Sequence, residues 1–279
     1  MPNRPATIKS MKLYQHVDRV ERELSERGLD AGEALDVAAL ESLDQLHYHG
    51  RSAVLEAIEE LDLDSQSRVL DIGSGLGGPA RVIASEVGCR VTAVELQDDL
   101  NRLAQSLTRR CGLGDLIEHR RADVLTASLP TREFDALVSW LTFLHISERE
   151  TLLRRCYQRL QPGGRILVED FFARHELSDE ESALLANEVF CQRLDTLPAY
   201  RELIKEAGFE RIDCQDMTDS WADFVGGRLD AFRQGKARFS RVHGDSAYRA
   251  LETFYSVMNQ LFSSGALGGL RWTARRPND

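Results

Sequence analysis

No stretch of this chain approaches the ~20 consecutive apolar residues that span a bilayer. Its opening, Met1-Pro-Asn-Arg-Pro, has none of the apolar core of a secretory signal. Paired cysteines are missing too: Cys89, Cys111, Cys156, Cys191 and Cys214 are scattered, with no Cys-x-x-Cys. This spacing argues against a disulfide framework or a zinc knuckle and fits small core residues in a reducing cytoplasm. Basic surface is scarce. The 35 Lys and Arg face 45 Asp and Glu, and pairs such as Arg109-Arg110 and Arg154-Arg155 stand alone, so no nucleic-acid partner is expected. Repeats and low-complexity tracts are absent as well. At 279 residues the chain has room for one large domain, or for one domain with a cap.

What is present is a strand-to-helix bend dense in glycine. Val69-Leu-Asp-Ile-Gly-Ser-Gly-Leu-Gly-Gly-Pro79 places Gly73, Gly75, Gly77 and Gly78 where the backbone must turn and a ligand can touch the main chain. By spacing alone, Gly73-x-Gly75-x-x-Gly78 also fits a dinucleotide site. Asp71 at the strand end argues against that reading, because a carboxylate there repels a pyrophosphate and attracts a cation.

Strands are predicted at 68–72, 90–95, 116–121, 134–139 and 165–169. Helices are predicted at about 79–87, 98–110 and 148–160, and Gln161-Pro-Gly-Gly164 is a tight turn before the fifth strand. This alternation predicts a doubly wound, mostly parallel α/β sheet with its crevice at the carboxyl ends of the strands. Asp71, Glu95, Asp123, Ser139 and Trp140 fall at those ends. Residues 11–61 read as helical, as do 178–193 and 197–207. A strand at 211–217, helices over 219–265 and a last strand at 270–274 complete the chain. The expected division is a helical lid at 1–62, a core at 63–218 and 266–279, and a cap at 219–265.

These motifs in this order resemble the class I S-adenosylmethionine-dependent methyltransferases, whose sheet is seven-stranded and Rossmann-like. The resemblance implies S-adenosylmethionine as donor and S-adenosylhomocysteine as product. The glycine-rich bend (Asp71, Gly73, Ser74, Gly75, Gly77) would wrap the methionine part, Glu95 with Leu96 the ribose, and Asp123-Val124 the adenine, with Ser139, Trp140 and Tyr48 completing the donor site. Glu95 and Asp123 equally suit helix-capping acids.

Phe134-Asp-Ala-Leu-Val-Ser-Trp-Leu-Thr-Phe-Leu-His145, Asp44-Gln-Leu-His-Tyr-His-Gly50 and Gly265-x-x-Gly268-Gly269-x-x-Trp272 narrow the resemblance. They are similar to sarcosine/dimethylglycine and phosphoethanolamine N-methyltransferases. That likeness implies a small amine acceptor, of glycine-derivative or ethanolamine type, methylated by in-line displacement. It also implies a catalytic His145 with Tyr48, or secondarily Tyr14, as its partner. Acceptor contacts are expected from Tyr14, His47, Trp140, His145 and Phe171, although Trp140 suits a core position as well. Relatives often carry Gln or Arg followed by Asp where Trp140-Leu141 stand, which keeps O- or C-methylation of an aromatic, carboxylic or isoprenoid metabolite open. Arg193, Arg228, Arg233 and Arg238 offer a fork for a substrate anion. His47 and His49 flank Tyr48 without a third ligand, so no metal is expected. The whole reading is of a cytoplasmic monomer or homodimer, away from membranes.

Overall fold

The computed structural model describes residues 8, 11, 13–14, 17–30 and 32–278; the expectation for Met1-Pro-Asn-Arg-Pro falls outside them. Three helices come first: α1 (Arg19–Glu26), α2 (Val37–Asp44) and α3 (Gly50–Glu60). An alternating stretch follows, with β1 (Arg68–Ile72), α4 (Gly78–Val87), β2 (Arg90–Glu95), α5 (Asp98–Arg110), β3 (Ile117–Arg121), β4 (Phe134–Trp140), α6 (Arg149–Arg159) and β5 (Leu160–Ala173). The chain closes with α7 (Asp179–Leu184), α8 (Leu197–Glu206), β6 (Glu210–Asp216), α9 (Thr218–Gln234), α10 (Lys236–His243), α11 (Asp245–Ser263) and β7 (Leu267–Arg275).

The sheet has seven strands in the order β3-β2-β1-β4-β5-β7-β6. The first five run parallel, whereas β7 is antiparallel to both β5 and β6. Strand order reverses between β1 and β4, so a crevice opens at their carboxyl ends. Helices cover both faces, which explains why Leu137, Val138, Ile166, Leu167 and Val168 form uninterrupted apolar runs and are all fully buried. The seven-stranded, mostly parallel sheet is the one the sequence predicts, and three helices do separate β6 from β7.

Two elements differ from expectation. Strand β5 continues past Glu169 to Ala173, because β7 pairs with it down to the Ala173–Leu267 register. The predicted turn at 161–164 is extended and continuous with that strand, bent where Gly163 takes φ +77°. The helix expected over 178–193 stops early. Ser178 and Glu181 form a reciprocal N-terminal cap, α7 runs to Leu184, and a single π turn (Leu185–Val189) ends it. Phe190 then takes the left-handed region at φ 56°, while its N–H and that of Cys191 donate to the Leu185 carbonyl. Among the described residues no helix is long and apolar enough to cross a membrane.

Candidate active site

The bend after β1 is built around atoms that leave no room for side chains. A Cβ on Gly73, at φ +74°, would lie 2.0 Å from the Thr142 hydroxyl. That hydroxyl donates to the Gly73 carbonyl at 3.3 Å, joining the glycine loop to the end of β4. The Gly75 N–H donates to one Glu95 oxygen at 3.0 Å, and the Gln97 N–H donates to the other at 2.7 Å. Glu95 therefore also steadies the start of α5, and each of its oxygens keeps acceptor capacity for a ligand.

Asp71 is the conspicuous group. It is 1% exposed, and its Oδ2 has no hydrogen-bond partner. Burial first, and the field of Glu95 second, push its carboxyl up to about 8. A buried acceptor without a donor is rare in folded proteins, and a ligand ammonium would satisfy both the lone pair and the charge.

Asp71, Gly73, Ser74, Gly75, Glu95, Leu96, Asp123, Val124, Trp140, Tyr14, His47 and His145 all border one cleft at the switch point. Leu96 is 53% exposed, and among the described residues it is the one large apolar side chain left so open. Asp123 also accepts from the Leu125 N–H at 2.8 Å, so it orders its own turn while facing the cleft. Trp140 belongs to the core and forms a cleft wall, with the His47 ring 5.4 Å away. His47 donates from Nε2 to the Gly50 carbonyl, and burial lowers its pKa to about 3.

Three sequence expectations are corrected. Ser139 lies outside the cleft lining: its hydroxyl is fully buried and donates to the Ile72 carbonyl at 2.7 Å. Gly77 also misses the lining and serves as the left-handed N-cap of α4, where a Cβ would meet His119 and Arg81. Tyr48 does not reach the donor cleft either. Its ring stands 5.0 Å from Trp221, 5.5 Å from Phe224 and 6.0 Å from Phe171. Tyr14, the second candidate, is the tyrosine whose ring meets His145, edge-on at 6.3 Å.

A second cavity adjoins the first and shares Tyr14, Leu46, Leu141 and His145 with it; Tyr48 and Phe171 are among its walls. His145 sits in a short 3₁₀ turn, Phe143–His145, where the two cavities meet. Its Nδ1 lies 3.3 Å from the Phe190 carbonyl, and because a carbonyl only accepts, Nδ1 carries the proton. Nε2 therefore holds the lone pair. Burial lowers the imidazole to about 4, so it is neutral at ordinary pH. Asp170 positions that turn: Oδ1 accepts from the Leu144 N–H at 3.0 Å, and Oδ2 accepts from Arg149 and from the Tyr200 hydroxyl, each at 2.9 Å.

Sequence reasoning missed Leu46, Leu141, Thr142 and Gln97 in the cleft. Leu141 at φ 50° marks a strained exit from β4 that no residue type announces. Among the described residues no group of three or more His, Cys, Asp or Glu is placed to hold a metal.

A seven-stranded sheet with its last strand reversed, a glycine bend and strand-end acids around one cleft define the Rossmann-like methyltransferase class. Residues 70–168 match the family described as Methyltransferase domain. The chain is 29% identical over 216 residues to phosphoethanolamine N-methyltransferase 1 of Zea mays, covering 77% of this chain and 42% of that one. It is 25% identical over 213 residues to the glycine/sarcosine/dimethylglycine N-methyltransferase of Actinopolyspora halophila, covering 76% and 37%. The chain thus spans about two fifths of the length of these relatives. A solved phosphoethanolamine N-methyltransferase 2 of Haemonchus contortus, bound to phosphomonomethylethanolamine and S-adenosylhomocysteine, shares the fold. Its TM-score is 0.78 at 23% identity, over 94% of this chain and 60% of that one.

Proposed function

We propose that the chain transfers a methyl group from S-adenosylmethionine to a small amine of ethanolamine or glycine-derivative type. The observation that carries this reading is His145, buried where the donor cleft meets a second cavity, with Nδ1 turned to the Phe190 carbonyl. The names of the relatives support an amine acceptor. A sulfonium supplies an already activated methyl, so no covalent enzyme intermediate is needed. Asp71 takes the donor's ammonium, Glu95 the ribose hydroxyls, and Leu96 with Val124 the faces of the adenine.

An ammonium has no lone pair, so the site must hold the acceptor as a free amine. The same burial that depresses His47 and His145 disfavours an ammonium. The amine nitrogen then forms its bond to the methyl carbon as the carbon–sulfur bond breaks, and its surplus proton passes to His145 Nε2 or to water. Tyr14, kept protonated chiefly by burial and then by Glu95, remains a neutral donor beside the imidazole. Alignment at roughly 3–3.5 Å supplies most of the acceleration. The reading includes the lid, core and cap divisions given above, a cytoplasmic location, a monomer or homodimer, and no nucleic-acid partner.

The test is S-adenosylhomocysteine release with a panel of primary and secondary amines, run on wild type and His145→Ala. The variant should lose about 10²-fold or more in kcat while binding S-adenosylhomocysteine normally in calorimetry. Unchanged turnover would make His145 structural and remove the basis of the reading.

A further inference from the structure

The second cavity is poor in charge. Leu13, Leu144, Phe171, Val225, Phe254 and Met258 furnish its walls, and among the described residues neither a carboxylate nor a lysine borders it. Among the described residues its polar groups are His145, three tyrosines and one cation, Arg228. Arg228 is already engaged. Its Nη2 donates to the His47 carbonyl at 3.1 Å, and its guanidinium lies 4.5 Å from the Phe224 ring centre and 5.7 Å from that of Tyr48. The other arginines that the sequence offered for an anion are spent elsewhere. Arg193 pairs with Glu150 and Asp195, Arg233 with Glu252, and Arg238 with Glu23. Among the described residues Arg19 is a further nearby cation: it interacts with Tyr14, Tyr255 and Arg228 and its Nη1 is buried without a hydrogen-bond partner, but it lines neither cavity.

A phosphomonoester brings close to two negative charges at neutral pH. Buried here it would meet, on the described walls, one guanidinium that is already shared, and a buried charge without its full partner is strongly disfavoured. An alkyl or aryl group gains free energy on the same walls. We infer that the acceptor is an amine whose ethanolamine- or glycine-type head carries an apolar substituent of several carbons, seated between Phe171, Val225, Phe254 and Met258, with its nitrogen at His145. This rests on the amine reading above and names the substrate class of that site. The walls also contribute to the chemistry, since a dry apolar cavity favours the neutral amine that the transfer requires.

The experiment measures S-adenosylhomocysteine release by the full chain with matched 2-amino alcohols of increasing alkyl length, a phenyl-bearing 2-amino alcohol, ethanolamine, phosphoethanolamine and sarcosine. Binding of each to the S-adenosylhomocysteine-loaded protein is followed in parallel by calorimetry. Each added methylene that fits should raise kcat/KM about fourfold, with phosphoethanolamine lowest. Phe254→Ala should move the preferred length upward while S-adenosylhomocysteine affinity stays unchanged, a readout that survives modest loss of stability. Phosphoethanolamine or sarcosine used as well as the substituted amines, or no dependence on chain length, overturns the inference and leaves the amine reading intact. If phenols or carboxylic acids of the same skeletons are methylated and no amine is, the amine reading falls and the apolar seat stands. Failure of every substituted compound to bind the loaded protein also overturns it.

Discussion

Asp71 makes the sharpest residue-level claim. Its free carboxyl is held at about 8 by burial and by Glu95, yet against a donor ammonium it must be ionised. Donor binding below about pH 8 therefore expels a proton from Asp71, and affinity should rise as pH increases from about 6 to about 7.5, up to tenfold per unit. Calorimetry in two buffers of different ionisation enthalpy reads that proton directly. Asp71→Asn keeps the shape but loses the charge, so affinity should fall about 10- to 100-fold and the proton release should vanish. Equal proton release by wild type and variant would assign the titration to another group. His145, at about 4, predicts a second profile: at saturating donor, the acid limb of kcat attributable to imidazole protonation lies near 4 rather than 6.5. Asp71 and Glu95 were legible because each closes a short apolar run, and Asp123 because it follows the predicted third strand. Which side of a strand end faces the cleft was not legible, and that is how Ser139 entered the expected site while its hydroxyl turns to the Ile72 carbonyl. Tyr14 was second choice to Tyr48 because its contact with His145 joins the N-terminal region to the middle of the chain, and no local pattern reports such a pairing.

Between elements, one buried ion pair fastens the N-terminal helices to the glycine loop. Arg81, inside α4 and fully buried, donates from Nη2 to Asp44 at 2.8 Å and to the Leu76 carbonyl at 2.6 Å, and from Nη1 to Thr108 at 3.0 Å. The pair therefore holds the end of α2, just before Leu46 and His47, against the loop those residues face. Asp44→Asn leaves a buried guanidinium without its counter-charge and should cost about 3–5 kcal/mol of stability. The measure is the urea midpoint at unchanged slope. An apolar pair, Asp44→Leu with Arg81→Met, should recover most of the loss; a single variant within about 0.5 kcal/mol of wild type would show that the clamp is dispensable. The Asp44–Gly50 segment stood out in the sequence for its aromatic and polar character, but its buried anchor did not, since Arg81 reads as an ordinary helix arginine. The strands and helices of the alternating stretch were readable because glycine and proline punctuate each crossover. The π turn before Phe190 was not, because a left-handed phenylalanine leaves no compositional mark.

For the molecule as a whole, the sheet follows from local alternation, while enclosure of the cleft depends on contacts between distant parts of the chain. Helix α1 meets α10 through Glu23, which pairs with Arg238 and lies 3.3 Å from His243, and through Glu26, which pairs with Arg241 at 3.1 Å. Tyr14 of the N-terminal region and Val225, Phe254 and Met258 of the helices between β6 and β7 share the walls of the second cavity; if the cavity opens by parting these two regions, the α1–α10 contact breaks. Arg238 is 53% exposed, so solvent and salt keep its bond to Glu23 weak. Glu23→Gln should therefore speed S-adenosylhomocysteine release by about two- to fivefold in stopped-flow displacement at low salt, with little change in the unfolding midpoint. Added salt screens the same contact, so wild-type release should accelerate toward the variant's rate while the variant responds less. Identical release rates for the two proteins at low salt would mean that opening does not separate α1 from α10, and that product leaves through the donor cleft alone.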